Sequence, residues 1–120
     1  MNGEVDSSGR ALLTLRVRTR SESPATEWTV WIDTAFTGQL VVPLRTIDQI
    51  GLRKSAAITA GLADGSTVVL ETYSCLLDWF GEPQMAEVIA SDGECPLLGV
   101  ELLLGHRLEV DYRSRTVVVE

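Results

Sequence analysis

Val30-Trp31-Ile32-Asp33-Thr34-Ala35-Phe36-Thr37-Gly38 drives an apolar, β-branched and aromatic run straight into a carboxylate. Val, Trp and Ile favour extended backbone, and Phe36-Thr37-Gly38 then interrupts the strand. An ionised Asp is costly to bury unless it is paired or hydrogen-bonded, so a sequence that ends a strand on one has a use for it. Capping a turn is the plain use. A chemical use requires support from the rest of the chain.

Upstream, Leu13, Leu15 and Val17 alternate with Thr14, Arg16, Arg18 and Arg20, which predicts a half-buried strand over 13–20. A turn with Pro24 joins it to a second strand, Glu27 to Asp33, completing a hairpin. Downstream, Leu40 to Pro43 resumes as a short strand, and Leu44 to Ile50 suits one or two helical turns before Gly51. Ser55 to Ala60 and Ser66 to Leu77 flank the polar tip Leu62-Ala63-Asp64-Gly65-Ser66, and Asp-Gly between extended segments signals a hairpin. The long strand from Val68 to Trp79 turns at Gly81-Glu82-Pro83 into Met85 to Ala90, and Ser91-Asp92-Gly93 turns the chain again. Pro96-Leu97-Leu98-Gly99 ends a buried segment. Val100 to Leu104, stopped by Gly105, is the clearest helix. Arg107 to Tyr112 and Thr116 to Val119 form a last hairpin. The expected class is all-β, a barrel with one short C-terminal helix. Residues 1–10 are expected as a flexible lead-in and 11–120 as a single domain.

Composition narrows the chemistry. With 45% apolar residues in 120, the chain has the material for a core and is not a disordered segment. A formal charge of −7 suits phosphate backbones poorly, so no nucleic-acid partner is expected. No apolar run approaches a bilayer span, and residues 1–10 lack a signal-peptide core, so the expectations are no membrane and a cytoplasmic setting. Cys75 and Cys95 have no metal-binding spacing and are expected as reduced, mostly buried thiols; their spacing does not decide whether they pair. His106 is the sole histidine, at the end of the helix, where a surface or capping role is expected and no catalytic triad can be built. Trp28, Trp31 and Trp79 are expected as core or interface anchors. Neither a metal nor a cofactor is called for.

Three features in order give the Asp its meaning: the strand ending in Asp33-Thr34, the hairpin tip at Gly61 to Ser66, and Leu97-Leu98-Gly99 followed by a helix. Together they resemble the retropepsin-like aspartic proteases, the viral enzymes and their cellular relatives, in spacing from about Leu12 to Val119. Cellular members with Asp-Thr-x-Phe-Thr-Gly are especially similar. The resemblance implies one lobe per chain and a dyad made by two copies of Asp33 across a homodimer axis. It implies that Thr34 crosses the axis to hold the carboxylates coplanar, that Ala35 lines the floor, and that Asp64 and Gly65 tip a flap over the substrate. Asp6, in Val5-Asp6-Ser7-Ser8-Gly9, lacks the apolar strand and is set aside as a decoy; Asp48, Asp64, Asp78, Asp92 and Asp111 lack the motif.

Two carboxylates that close share one proton, so one can activate a water while the other polarises the scissile carbonyl. The implied activity is therefore aspartic-type endopeptidase on peptide or protein substrates in extended form, without a cofactor. Ala35 stands where the family keeps glycine, whose backbone freedom a Cβ can obstruct. That departure leaves a second reading, an inactive dimer that binds extended peptides. A third, weaker one gives Asp33 a dyad partner from a different protein.

Overall fold

A computed structural model describes residues 1–120. In chain order the elements are β1 (Asn2–Val5), β2 (Ala11–Arg18), β3 (Thr26–Ile32), β4 (Leu40–Pro43), α1 (Leu44–Ile50), β5 (Arg53–Gly61), β6 (Thr67–Trp79), β7 (Glu82–Ser91), β8 (Leu97–Leu98), α2 (Val100–Leu103), β9 (Leu108–Asp111) and β10 (Thr116–Val119). All ten strands join one sheet in the order β5-β6-β7-β4-β8-β3-β2-β1-β10-β9. A further pairing of β2 with β6, Val17 opposite Leu77, curls the sheet back onto itself. The result is the all-β barrel with a short C-terminal helix that the pattern predicts.

Alternation decides which face of each strand turns inward. Ala11, Leu13, Leu15 and Val17 of β2 are buried, while Thr14 and Arg16 point outward. In β3, Trp28, Val30 and Ile32 are inward and Glu27, Thr29 and Trp31 outward. The two inner rows meet in register, Leu13 opposite Val30 and Leu15 opposite Trp28. One apolar cluster runs from Val5 to Val119 and takes in side chains from both helices, Ile47 of α1 and Leu102 and Leu103 of α2.

The structure differs from the sequence reading in three places. Residues 1–10 are not a loose lead-in: β1 lies inside the sheet, pairing with β2 on one side and β10 on the other. Four residues with a single buried side chain, Val5, show too little alternation to announce a strand. β2 stops at Arg18, because Thr19 and Ser23 already close a turn through a 2.8 Å bond between their hydroxyls. The clearer helix is α1, which packs Ile47 inward and ends on Gly51 at φ 71°, whereas α2 is a single turn of four residues. α1 has no side-chain N-cap, so its usual start signal is missing.

Leu15 is fully buried at the centre of this packing. Leu15→Ala should cost about 2–5 kcal/mol, the range for a cavity left in a core. A lowered urea midpoint at unchanged slope would show it.

Candidate active site

Asp33 is the first residue after β3, and its position follows from how β3 and β4 are joined. They are consecutive in the chain but not neighbours in the sheet, because β8 lies between them, parallel to β3 and antiparallel to β4. The link from Asp33 to Gln39 must therefore pass over the end of β8. Hydrogen bonds fasten it there. Trp31 N–H donates to Pro96 O at 2.8 Å and Asp33 N–H to Leu98 O at 2.9 Å, extending the β3–β8 ladder. From the other side Gly99 N–H donates to Gln39 O, Val100 N–H to Phe36 O and Glu101 N–H to Gly38 O, at 2.8, 2.8 and 3.2 Å. The Gln39 side chain accepts from Glu87 N–H at 2.6 Å and donates to Glu101 at 3.2 Å, tying the same link to β7 and α2.

Asp33 is half-buried, and its Oδ1 accepts the Ala35 N–H at 2.9 Å. Phe36 N–H donates to the Asp33 carbonyl at 3.2 Å. Thr34 and Ala35 are exposed on the same turn. Ala35 does not have a positive φ, so the conformational freedom of glycine is not needed at this position and its methyl adds no backbone strain. The structure thus brings Asp33, Thr34 and Ala35 together. Asp64 and Gly65 are at the tip of the β5–β6 hairpin, where Gly65 has φ 86° and Asp64 Oδ1 accepts both the N–H and the hydroxyl of Ser66. The Ser66 hydroxyl first, then its N–H, hold the Asp64 carboxyl below the usual range. The tip bonds only to itself, but its strand β6 and Phe36 border one groove of about 500 Å³. Trp31, Ile32, Asp33, Thr34 and Leu97 line a second cavity of about 390 Å³.

This architecture has solved counterparts. The chain superposes on the EIAV protease complexed with the inhibitor HBY-793 with a TM-score of 0.61 at 16% identity, over 82% of this chain and 88% of that one. The fold is that of the retropepsins. A retropepsin-like aspartic protease from Rickettsia conorii gives a TM-score of 0.63 at 10% identity, over 99% of this chain and 88% of that one. The simian foamy virus (mac) protease gives 0.52 at 19% identity, over 76% and 91%. At such identities the likeness is one of fold. No protein-family model matches the sequence, and no curated relative does.

Two further residues belong to the neighbourhood of this turn and were missed in the sequence. Asp6, set aside as a decoy, accepts from Ser8 N–H at 3.0 Å, the Ser8 hydroxyl at 2.9 Å, Arg10 N–H at 2.9 Å and Arg10 Nε at 2.7 Å. So anchored, the Arg10 guanidinium lies 5.8 Å from the centre of the ring of Trp31, a residue that lines the second cavity. The signal available was Asp6-x-x-x-Arg10 around a Ser-Ser-Gly turn. Of the tryptophans, Trp28 and Trp79 are core and Trp31 is 40% exposed beside Asp33. His106 is exposed, as expected; its backbone N–H donates to the Leu103 carbonyl at the end of α2 at 2.9 Å, and its ring stacks on Phe80 at 4.4 Å. Both cysteines are free, and burial pushes the Cys75 thiol up to about 12. No group of three or more His, Cys, Asp or Glu side chains is arranged to hold a metal.

Gly99 is where this site is least tolerant. A Cβ there would collide with the Gly38 carbonyl oxygen and come within 2.5 Å of the Phe36 ring. Gly99→Ala should destabilise the chain by about 3 kcal/mol, the upper end for overpacking, as read by chemical denaturation. The Asp6 carboxyl offers a titration test. The Arg10 N–H above all, then the guanidinium and Ser8, hold it well below the usual carboxylate range. Its folded pKa lies below its unfolded one, so its contribution is complete above the ordinary value near 3.8 and is lost only as pH falls through the folded value. A carboxyl-carbon NMR titration should place the Asp6 midpoint clearly below 3.8, and Ser8→Ala should raise it.

Proposed function

We propose that this chain is an aspartic endopeptidase that works as a homodimer, with Asp33 supplying one carboxylate from each copy. The observation that carries this reading is the Asp33 turn: a solvent-reached carboxylate on a link clamped by β8 and α2, between two concavities, on a retropepsin fold. One chain supplies a single such Asp, so a two-fold axis beside Asp33 completes the pair.

In that dimer the shared proton divides the roles. The ionised carboxylate takes a proton from the attacking water while the protonated one donates to the scissile carbonyl. As the leaving amine takes up a proton from the dyad, the bond breaks into two peptide ends. The clamp fixes each Asp33 backbone before substrate arrives, so little reorganisation accompanies the reaction. The exposed Thr34 hydroxyl, which has no partner within its own chain, is free to bond across the axis. Ala35 forms the floor, and Asp64 and Gly65 lead the β5–β6 hairpin over an extended peptide. The negative φ of Ala35 supports a competent site over an inactive one. Two free thiols suit a reducing compartment such as the cytoplasm.

Asp33→Asn should lower cleavage of a broad peptide library at least about a thousandfold, within the range for loss of a general acid–base group. Sedimentation should find wild type and variant equally dimeric. Cleavage undiminished in the variant, or a wild-type chain that cuts peptides as a strict monomer, would sink the proposal.

A further inference from the structure

The groove of about 500 Å³ beside the Asp33 turn has an apolar body and an acidic rim. Phe36 comes from the turn itself, Val41 from β4, Ile89 from β7 and Val69 from the flap strand β6. The charged residues on its lining are Glu71 and Asp92, both acidic, and no basic side chain lines it. The two carboxylates differ in how they are used. Glu71 is already satisfied, one oxygen by Lys54 Nζ at 2.7 Å and the other by the Tyr73 hydroxyl at 3.0 Å. Asp92, exposed on the turn after β7, makes no ion pair and no side-chain hydrogen bond. It is a free anion at the mouth of an apolar slot.

A slot of this kind fits one class of side chain. Lys and Arg pack a hydrocarbon stem along apolar surface while their charged head stays at a wetted rim. An aliphatic residue would fill the body and leave Asp92 without a partner, and an acidic one would meet the unpaired Asp92 carboxylate in a chain of net charge −7. We infer that this groove is a substrate subsite for a basic side chain, its stem against Phe36, Val41 and Ile89 and its head at Asp92. The inference rests on the proteolytic reading for its biological use, because the groove shares Phe36 with the turn that carries Asp33. Asp92 is then a specificity-determining residue outside the reacting atoms, and the Asp33 enzyme selects for cationic segments of its substrates.

The test uses labelled extended peptides in which one position at a time carries Lys, Nε-acetyl-lysine, norleucine or Glu. Binding is read by fluorescence anisotropy on the Asp33→Asn protein, and cleavage is read separately on wild type. At one position Lys should bind about three- to fivefold more tightly than acetyl-lysine, the size of a partly exposed ion pair, and Glu most weakly. The preference should shrink as salt is raised. Asp92→Asn should remove the Lys preference, leave norleucine affinity in place and leave the unfolding midpoint unchanged. Equal affinity for Lys and acetyl-lysine at every position, or a Lys preference that survives Asp92→Asn, overturns the inference. A Lys preference in binding with no cleavage by wild type supports the subsite and refutes the protease reading. Cleavage without any Lys preference does the reverse.

Discussion

The Phe36 ring lies against the backbones of Gly38 and Gly99, and the arrangement of the site depends on that contact. A Cβ on Gly38 would come within 2.6 Å of the ring, and one on Gly99 within 2.5 Å. Only bare backbone lets the ring settle between the link over β8 and the start of α2. With it in place, the main-chain groups of the link find partners in residues 98–101, rather than being left unpaired next to the core. The same ring turns its outer side to the groove, so one aromatic side chain fixes the position of Asp33 and shapes the surface beside it. Leu98, fully buried and paired to both Ile32 and Leu40, is the wedge under this clamp.

The chain is acidic overall, yet near the Asp33 turn Arg10 is paired with Asp6 and Glu71 with Lys54, which leaves Asp92 as a carboxylate without an ion-pair partner. The Arg10 guanidinium lies by Trp31, and Glu71 and Asp92 line the groove with Phe36. Net charge alone conceals this. Asp78 lies between Arg16 and Arg18 and ties β6 to β2, and surface pairs of that kind contribute little to stability.

The central architecture was legible because it is written in alternation and in turn chemistry. The β2 and β3 rows show up as Leu13, Leu15, Val17 against Val30 and Ile32, and the Asp64-Gly65 tip is a turn that few other pairs of residues would make. Asp33 stood out for a physical reason, a carboxylate at the end of an apolar strand. What stayed hidden is non-local. That Leu97-Leu98 wedges between β3 and β4 is a pairing across more than fifty residues, with no local pattern to reveal it. β1 carries only Val5 inward, so its burial comes from partners at both ends of the chain, Ala11 and Thr116 to Val118. Asp6 looked like an idle Asp-Ser because its function is to position an arginine, which only the folded turn displays.

The β5–β6 hairpin, unlike the Asp33 link, is held at one end only. Its eight registered pairs extend from the barrel with nearly all of β5 exposed, and a two-stranded ribbon alone is at best marginal in water. Its hold is at the root, where fully buried Thr72 bonds the Ala56 carbonyl and the Ser55 hydroxyl and Lys54 pairs with Glu71. The pairing register shifts between Lys54 and Ala56, at that same root. Beyond it Ile58, Leu62 and Val69 stay open to solvent. At about 25 cal/mol per Å², covering such side chains is a favourable term comparable to the marginal stability of the ribbon itself. A peptide lying between the hairpin and the Asp33 turn would bury apolar surface on both at once. On the proposed reading, closure of the hairpin and filling of the groove would draw on the same area, which would couple binding to closure without any dedicated latch.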